Sequence, residues 1–263
     1  MDYLLALLID NWRALLILCP LVFTAGLIDS IAGGGGLISL PAYMIVGLPP
    51  HMALGSNKFS STFGTFVANI RYFKNKRVEL KSGLLSVPAA LLGSTIGSRV
   101  VLLVSDEILR YLMLFVVPIV AIFILINKNF GLDNRFDELK MSYVAIISIS
   151  AGLVIGFYDG FFGPGTGSFL ILVFALLLKL DLVTASGNAK LVNLATNIAA
   201  LVTFIRFSQV AFALAIPAAI CGIAGNYVGS GLAIKKGAKF IRPIFVLALV
   251  LLLGFLAIDI ISG

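Results

Sequence analysis

Apolar residues occur along this chain in long continuous runs rather than in the alternating pattern of an amphipathic helix or strand. Runs of about 18 to 22 residues are long enough, as helices, to cross a hydrocarbon core of roughly 30 Å. They predict helical segments at about 14–32, 52–73, 83–104, 109–126, 141–158, 183–207, 210–234 and 243–261. We therefore expect an all-α, polytopic membrane protein with a single membrane domain over residues 1–263.

Two further apolar pieces are too short for a straight crossing. One covers about 37–48, contains Pro41 and precedes Pro49; the other ends near Leu180. Each follows a glycine-rich stretch, and about 12 residues span only part of a bilayer as a helix. The pattern predicts a short or broken helix after each glycine-rich break.

The breaks belong to a pattern that occurs twice, with a shift of about 130 residues. A carboxylate, a glycine-rich break, a short apolar segment and a small-polar stretch ending in lysine follow one another in both copies. Such self-similarity indicates an internal duplication. We assign residues 14–127 to the first repeat, 128–140 to a polar linker and 141–263 to the second repeat.

Charge indicates how the two repeats are oriented. Charged residues make up only 12% of the chain, against 60% hydrophobic ones, and its net charge of +7 comes from basic residues in short connections. The connection after 52–73 is basic and its counterpart near Arg206 is not, whereas the connection after 83–104 is acidic and its counterpart near Lys236 is basic. Under the positive-inside rule this exchange predicts two inverted repeats of about five helical segments each, with a cytoplasmic linker. Inverted repeats with interrupted helices are typical of secondary transporters.

Two motifs carry a resemblance to a known family. Asp29 and Gly33–Gly36 precede Gly55-Ser56-Asn57-Lys58-Phe59, and Gly156-Phe157-Tyr158-Asp159-Gly160 precedes Gly163-Pro164-Gly165-Thr166-Gly167. With these motifs in this order, the chain from about Leu21 onward resembles the TauE/SafE sulfite exporter family. The resemblance implies a multi-pass permease of the bacterial inner membrane for sulfite, sulfoacetate, thiosulfate or a similar organosulfonate, driven by an ion gradient. The Asn-Lys pair is closer to the branch whose substrate is unassigned.

Binding of a small anion inside a bilayer requires donors that replace its water. Glycine-rich breaks expose backbone N–H groups, although the same glycines could serve only close helix packing. Lys58 and Lys190 occupy matching places in apolar surroundings and could neutralise the anion, snorkel to an interface, or pair with aspartate. The candidate substrate-binding residues are Gly33, Gly34, Gly35, Gly36, Asn57, Lys58, Gly163, Gly165, Thr166, Gly167, Asn188 and Lys190.

Asp29 and Asp159 are also placed symmetrically, and a membrane carboxylate can carry a coupling proton or form a structural ion pair.

No GxSxG or HExxH motif occurs, so we do not expect an enzyme. One histidine, His51, and two distant cysteines suggest neither a metal nor a cofactor. The expected partners are a small anionic substrate and membrane lipid but no nucleic acid. The sequence leaves the oligomeric state open, with a homodimer as one option. An anion channel and a structural membrane component are the alternatives.

Overall fold

The computed structural model describes residues 12–109 and 134–237. Apart from Leu109, the segments predicted at 109–126 and 243–261 lie outside the described residues. The described residues form helices and no strands, which confirms the all-α prediction. The helices are α1 Trp12–Ala32, α2 Gly36–Ile45, α3 Pro50–Lys74, α4 Leu80–Val101, α5 Met141–Phe161, α6 Thr166–Leu176, α7 Leu182–Arg206 and α8 Phe212–Lys236. A 3-10 turn, Phe136–Glu138, precedes α5.

Five of the described helices, α1, α4, α5, α7 and α8, are long and apolar enough to cross a membrane. Helix α3 has 25 residues but is more polar than these five because it carries Ser56, Asn57 and Lys58 among other polar residues. The short helices α2 and α6 have 10 and 11 residues. At 1.5 Å per residue they are roughly 15–17 Å long, about half the hydrocarbon thickness. The predicted short helix after each glycine-rich break is confirmed.

Glycines join the two halves of the chain. Gly93 and Gly97 of α4 pack against the backbone of α5 near Leu153 and Phe157, where a Cβ would overlap main-chain atoms. Close packing of this kind is typical of glycines at a small-xxx-small spacing, which Gly93 and Gly97 have. In the other half, Gly225 and Gly229 of α8 pack in the same way against α1. The fourth helix of each half thus packs on the first helix of the other half.

Helices α3 and α7 pack against each other in the middle of this arrangement and run antiparallel. Lys58 near the start of α3 bonds Asn197 in the second half of α7, whereas Asn69 further along α3 donates to the Lys190 carbonyl nearer the start of α7. The two helices hold equivalent places in the two halves. An antiparallel pair of equivalent helices is what inverted repeats require, and the orientation of the halves relative to a membrane stays a prediction.

A second set of contacts also connects the two halves. Helix α3 contacts the loop before α8, and helix α7 contacts the loop before α4. The Ser56 hydroxyl accepts a hydrogen bond from the Ala211 N–H at 3.0 Å, and the Asn188 amide oxygen accepts one from the Glu79 N–H at 2.6 Å. Gly187 lies against the Arg77 carbonyl, where any side chain would collide. These contacts fix α3 and α7, the helices that carry the buried lysines, relative to the opposite half.

Candidate functional site

Two buried ion pairs connect the halves. Lys58 of α3 lies 2.7 Å from Asp159 of α5, and Lys190 of α7 lies 2.6 Å from Asp29 of α1. Each pair therefore joins a lysine from one half to an aspartate from the other. Both lysines stand nine residues into 25-residue helices that pack against each other. Among the alternatives that the sequence left open, the structure shows pairing with aspartate rather than snorkelling to an interface.

The Lys58 pair is closed and well satisfied. The two side chains are only 3% and 2% exposed. Nζ of Lys58 donates to Asp159 and, at 3.2 Å, to the amide oxygen of Asn197. Asn197 is held in turn by its own bond to Asn193 at 2.9 Å. A lysine with two acceptors in a dry environment is anchored in this conformation.

The Lys190 pair has fewer partners. Lys190 is completely buried, yet its Nζ touches Asp29 without the geometry of a hydrogen bond. Thr65 is the counterpart of Asn197, and its hydroxyl is a buried polar atom without a partner. Asp29 is 15% exposed. Because an unsatisfied buried cation is costly, Lys190 is the lysine with capacity for a further anionic partner.

The glycine-rich breaks meet each other beside these pairs. Gly33 and Gly163 hold equivalent places and have left-handed φ angles of 78° and 97°, which other residues rarely adopt. Gly33 packs directly on Gly167, so neither position has room for a side chain. Gly163 lies against Lys58, with 3.2 Å between its ideal Cβ position and Nζ.

The breaks also place helix starts at the site. Helix α2 begins at Gly36, whose Cβ would lie 3.3 Å from Pro164 in the opposite break. Helix α6 begins at Thr166, and Gly165 before it has a left-handed φ of 83°. N–H groups at a helix start carry partial positive charge. Some of them are already used here, because Leu37 and Ile38 donate to the Gly34 and Gly35 carbonyls and Thr166 donates to the Gly163 carbonyl. Gly35 donates one such N–H to Asp29 at 3.4 Å. Gly34 is less constrained, since the nearest atom to an added Cβ is 3.6 Å away on Leu37.

The two asparagines predicted for the site are used differently. Asn57 lies one residue from Lys58, and its amide oxygen accepts a hydrogen bond from Ser39 at 2.6 Å. Asn188 is turned away from the ion pairs because its side chain donates to the Glu79 carbonyl and to Ser82. We therefore count Asn57 but not Asn188 among the residues close to the site.

The structure also brings in residues that the sequence reading did not select. A small cleft beside Asp29 is lined by Gly35 just before α2, Ser39 of α2, Ser60 and Ser61 of α3, and Gly222 and Asn226 of α8, together with residues of α1. Uncharged polar residues are common in membrane helices, so composition alone gave no signal for them.

Comparison with known proteins agrees with this architecture. A family profile described as Sulfite exporter TauE/SafE matches residues 18–256. "Probable membrane transporter protein YfcA" of Escherichia coli (strain K12) is 36% identical over 85% of this chain and 82% of its own length. "Probable membrane transporter protein ORF9" of Sinorhizobium sp is 34% identical over 86% of this chain and 85% of its own length. No solved structure matches the chain.

The profile covers most of the chain, including both breaks and all four charged residues of the ion pairs. The relatives are named as membrane transporters, and the described residues include five helices able to cross a membrane. The chain is therefore a multi-pass membrane protein that belongs to the TauE/SafE sulfite exporter family of membrane transporters.

Proposed function

We propose that the protein is a secondary transporter of a small sulfur-containing anion, coupled to an ion gradient. The observation that carries this proposal is the Lys190–Asp29 pair, a buried lysine with one carboxylate contact and no hydrogen bond. An oxyanion that reaches Lys190 can replace the Asp29 carboxylate, because both present negatively charged oxygen atoms to the ammonium group.

Several features of the site favour an anion over a neutral solute. A charge at the centre of a bilayer costs at least about 2.5 kcal/mol on insertion scales, so two buried lysines in apolar surroundings are expensive to keep without a role. The starts of α2 and α6 add N–H groups and positive partial charge at the breaks. A lysine together with helix starts forms a binding environment for an oxyanion.

The family supports the proposed substrate class. The profile is named for sulfite export, and the site offers charge and backbone donors rather than an apolar pocket. Sulfite, thiosulfate, sulfoacetate and related organosulfonates therefore are the first candidates. The curated relatives come from bacteria, which supports a location in the bacterial inner membrane.

The experiment is anion flux into liposomes that contain the purified protein. We expect saturable uptake of at least one of sulfite, thiosulfate or sulfoacetate, with a rate that depends on an imposed ion gradient. Lys190→Gln keeps a donor but removes the charge, and we expect it to weaken anion binding at least tenfold, about 1.4 kcal/mol. Lys190→Arg should be intermediate, since a planar guanidinium replaces a compact ammonium poorly.

Two controls separate binding from folding. Lys81→Gln removes an exposed lysine at the start of α4 and should leave affinity unchanged. The double variant Lys190→Gln with Asp29→Asn leaves no unpaired buried charge, so it tests affinity if the single variant is unstable. If Lys190→Gln and the double variant both keep an anion affinity within twofold of the wild-type value, Lys190 is structural. Unsaturable flux without gradient dependence would indicate a channel.

A further inference from the structure

Half of the residues that line the cleft beside Asp29 carry a side-chain oxygen atom, namely Asp29, Ser39, Ser60, Ser61 and Asn226. Ser39 and Ser61 are both placed to donate their protons to the Asn57 amide oxygen, at 2.6 and 3.4 Å. Ser60 donates to the Asn57 carbonyl at 3.1 Å. A hydroxyl whose proton is used still has lone pairs, so the three serine oxygens remain acceptors.

Asn226 adds an amide oxygen that has no partner. Its Nδ2 donates to the Gly222 carbonyl at 3.0 Å, while its Oδ1 is buried and unpaired. The assignment of the two atoms is secure, because the one that faces a carbonyl must be the donor. The residue is 3% exposed and lies in the cleft wall. A buried unpaired acceptor costs free energy unless something in the cleft satisfies it.

The position of Asn226 is fixed by two glycines on neighbouring helices. The side chain fits between Gly26 of α1 and Gly64 of α3, and a Cβ at Gly26 would lie 2.7 Å from Nδ2. The second half has no equivalent arrangement. Ser94 occupies the matching place on α4, and its hydroxyl is used in a bond to the Thr196 carbonyl at 2.7 Å. Phe169 stands where the first half has Ser39.

The size and charge of the cleft restrict its occupant. Its volume of about 20 Å³ is enough for one water-sized species. Oxygen ligands suit hard cations. The single carboxylate is already paired with Lys190, so the wall carries too little negative charge for a divalent ion.

We infer that this cleft is a site for a small monovalent metal cation, sodium, held by oxygens of Asp29, Ser39, Ser60, Ser61 and Asn226. The inference extends the proposed function by naming the coupling ion. An anion that takes over Lys190 releases the Asp29 carboxylate, which is then available to the cation. The cation offsets negative charge that the anion brings to the site, so each should favour binding of the other by the same factor.

Sodium binding can be measured without any sulfur-containing anion. Purified protein is heated in sodium chloride or in choline chloride at matched ionic strength, and the unfolding midpoint is recorded. We expect a saturable rise of about 2–4 °C at five times the dissociation constant for sodium. Asn226→Ala should remove this rise, whereas Ser94→Ala, the matched change in the other half, should keep it.

Lys190→Gln gives a second test, because it should increase the affinity for sodium. A cleft with a purely structural role would not show such an increase. Without the lysine, Asp29 is an uncompensated buried carboxylate, so sodium should bind at least threefold more tightly and raise the midpoint further. No saturable sodium effect in the wild type, as expected if the cleft holds only water, would overturn the inference. A sodium effect that persists in Asn226→Ala would also overturn it.

The flux assay distinguishes this failure from failure of the proposed function. Anion uptake without sodium binding would retain the transporter and remove the cation site. Sodium binding with no uptake of any sulfur-containing anion would retain the site and remove the proposed substrate.

Discussion

At the scale of single residues, the two aspartates should differ in their effect on stability. Asp159→Asn leaves Lys58 charged in a closed environment, and removing one member of a buried ion pair costs about 3–5 kcal/mol. We expect its unfolding midpoint to fall by several degrees, measured on purified protein in detergent. Asp29→Asn should lower the midpoint further, because it leaves the fully buried Lys190 without an anionic partner and without an amide acceptor such as the one that Asn197 gives Lys58.

The double variant Lys58→Met with Asp159→Leu serves as the control for this prediction. It removes both charges, and replacing a whole buried pair by apolar side chains is often neutral or stabilising. Its midpoint should therefore recover towards that of the wild type. An Asp159→Asn midpoint equal to the wild-type value would contradict the closed ion pair.

Charge made some of these residues predictable from the sequence and left others hidden. A lysine or aspartate inside an apolar run is rare, so Asp29, Lys58, Asp159 and Lys190 could be selected directly. Which lysine pairs with which aspartate depends on how the halves pack, and the sequence left that open. Asn226 could not be selected, because its significance comes from an unpaired oxygen that only the packed helices reveal.

At the scale of the elements, two neighbouring glycines of the first glycine-rich break should respond differently to alanine. Position 33 should not accept it, whereas position 34 should. Gly33→Ala would force a left-handed φ of 78° on a residue with a Cβ and would overlap Gly167. Strain and overlap together should cost roughly 2 kcal/mol or more. Gly34→Ala meets its nearest atom at 3.6 Å and should be close to wild type. The unfolding midpoint and the yield of folded protein measure the difference.

Equal losses of stability in the two variants would mean that the break serves conformational freedom in general rather than this contact between the halves.

The elements themselves were largely predictable, because apolar run length and Gly or Pro interruption determine where membrane helices begin and end. Which residues of the two repeats correspond to each other was harder to predict from the sequence. Residue type alone pairs Asn57 with Asn188, whereas the structure shows Ser56 and Asn188 in equivalent bonds to the opposite half.

At the scale of the whole molecule, the arrangement of the helices supports the predicted topology. Helices α3 and α8 end at the same side of the bundle, where the Arg71 guanidinium lies 4.1 Å from the centre of the Tyr227 ring. Helix α7 runs antiparallel to α3 and ends on the opposite side. The basic last turns of α3 and α8 therefore lie on one side, as the positive-inside rule requires of a cytoplasmic face.

The last prediction concerns which side of the membrane this is. In a chain whose Cys19 and Cys221 are replaced by alanine, single cysteines are introduced at Lys76, Lys236 and Arg206. An impermeant thiol reagent added outside intact cells should label only the cysteine at 206, because inverted repeats place the end of α7 opposite the ends of α3 and α8. The cysteines at 76 and 236 should react only in inverted vesicles. Labelling of 76 and 236 from opposite sides would exclude the inverted arrangement, since the exchange of the basic connections between the halves would then no longer follow the positive-inside rule.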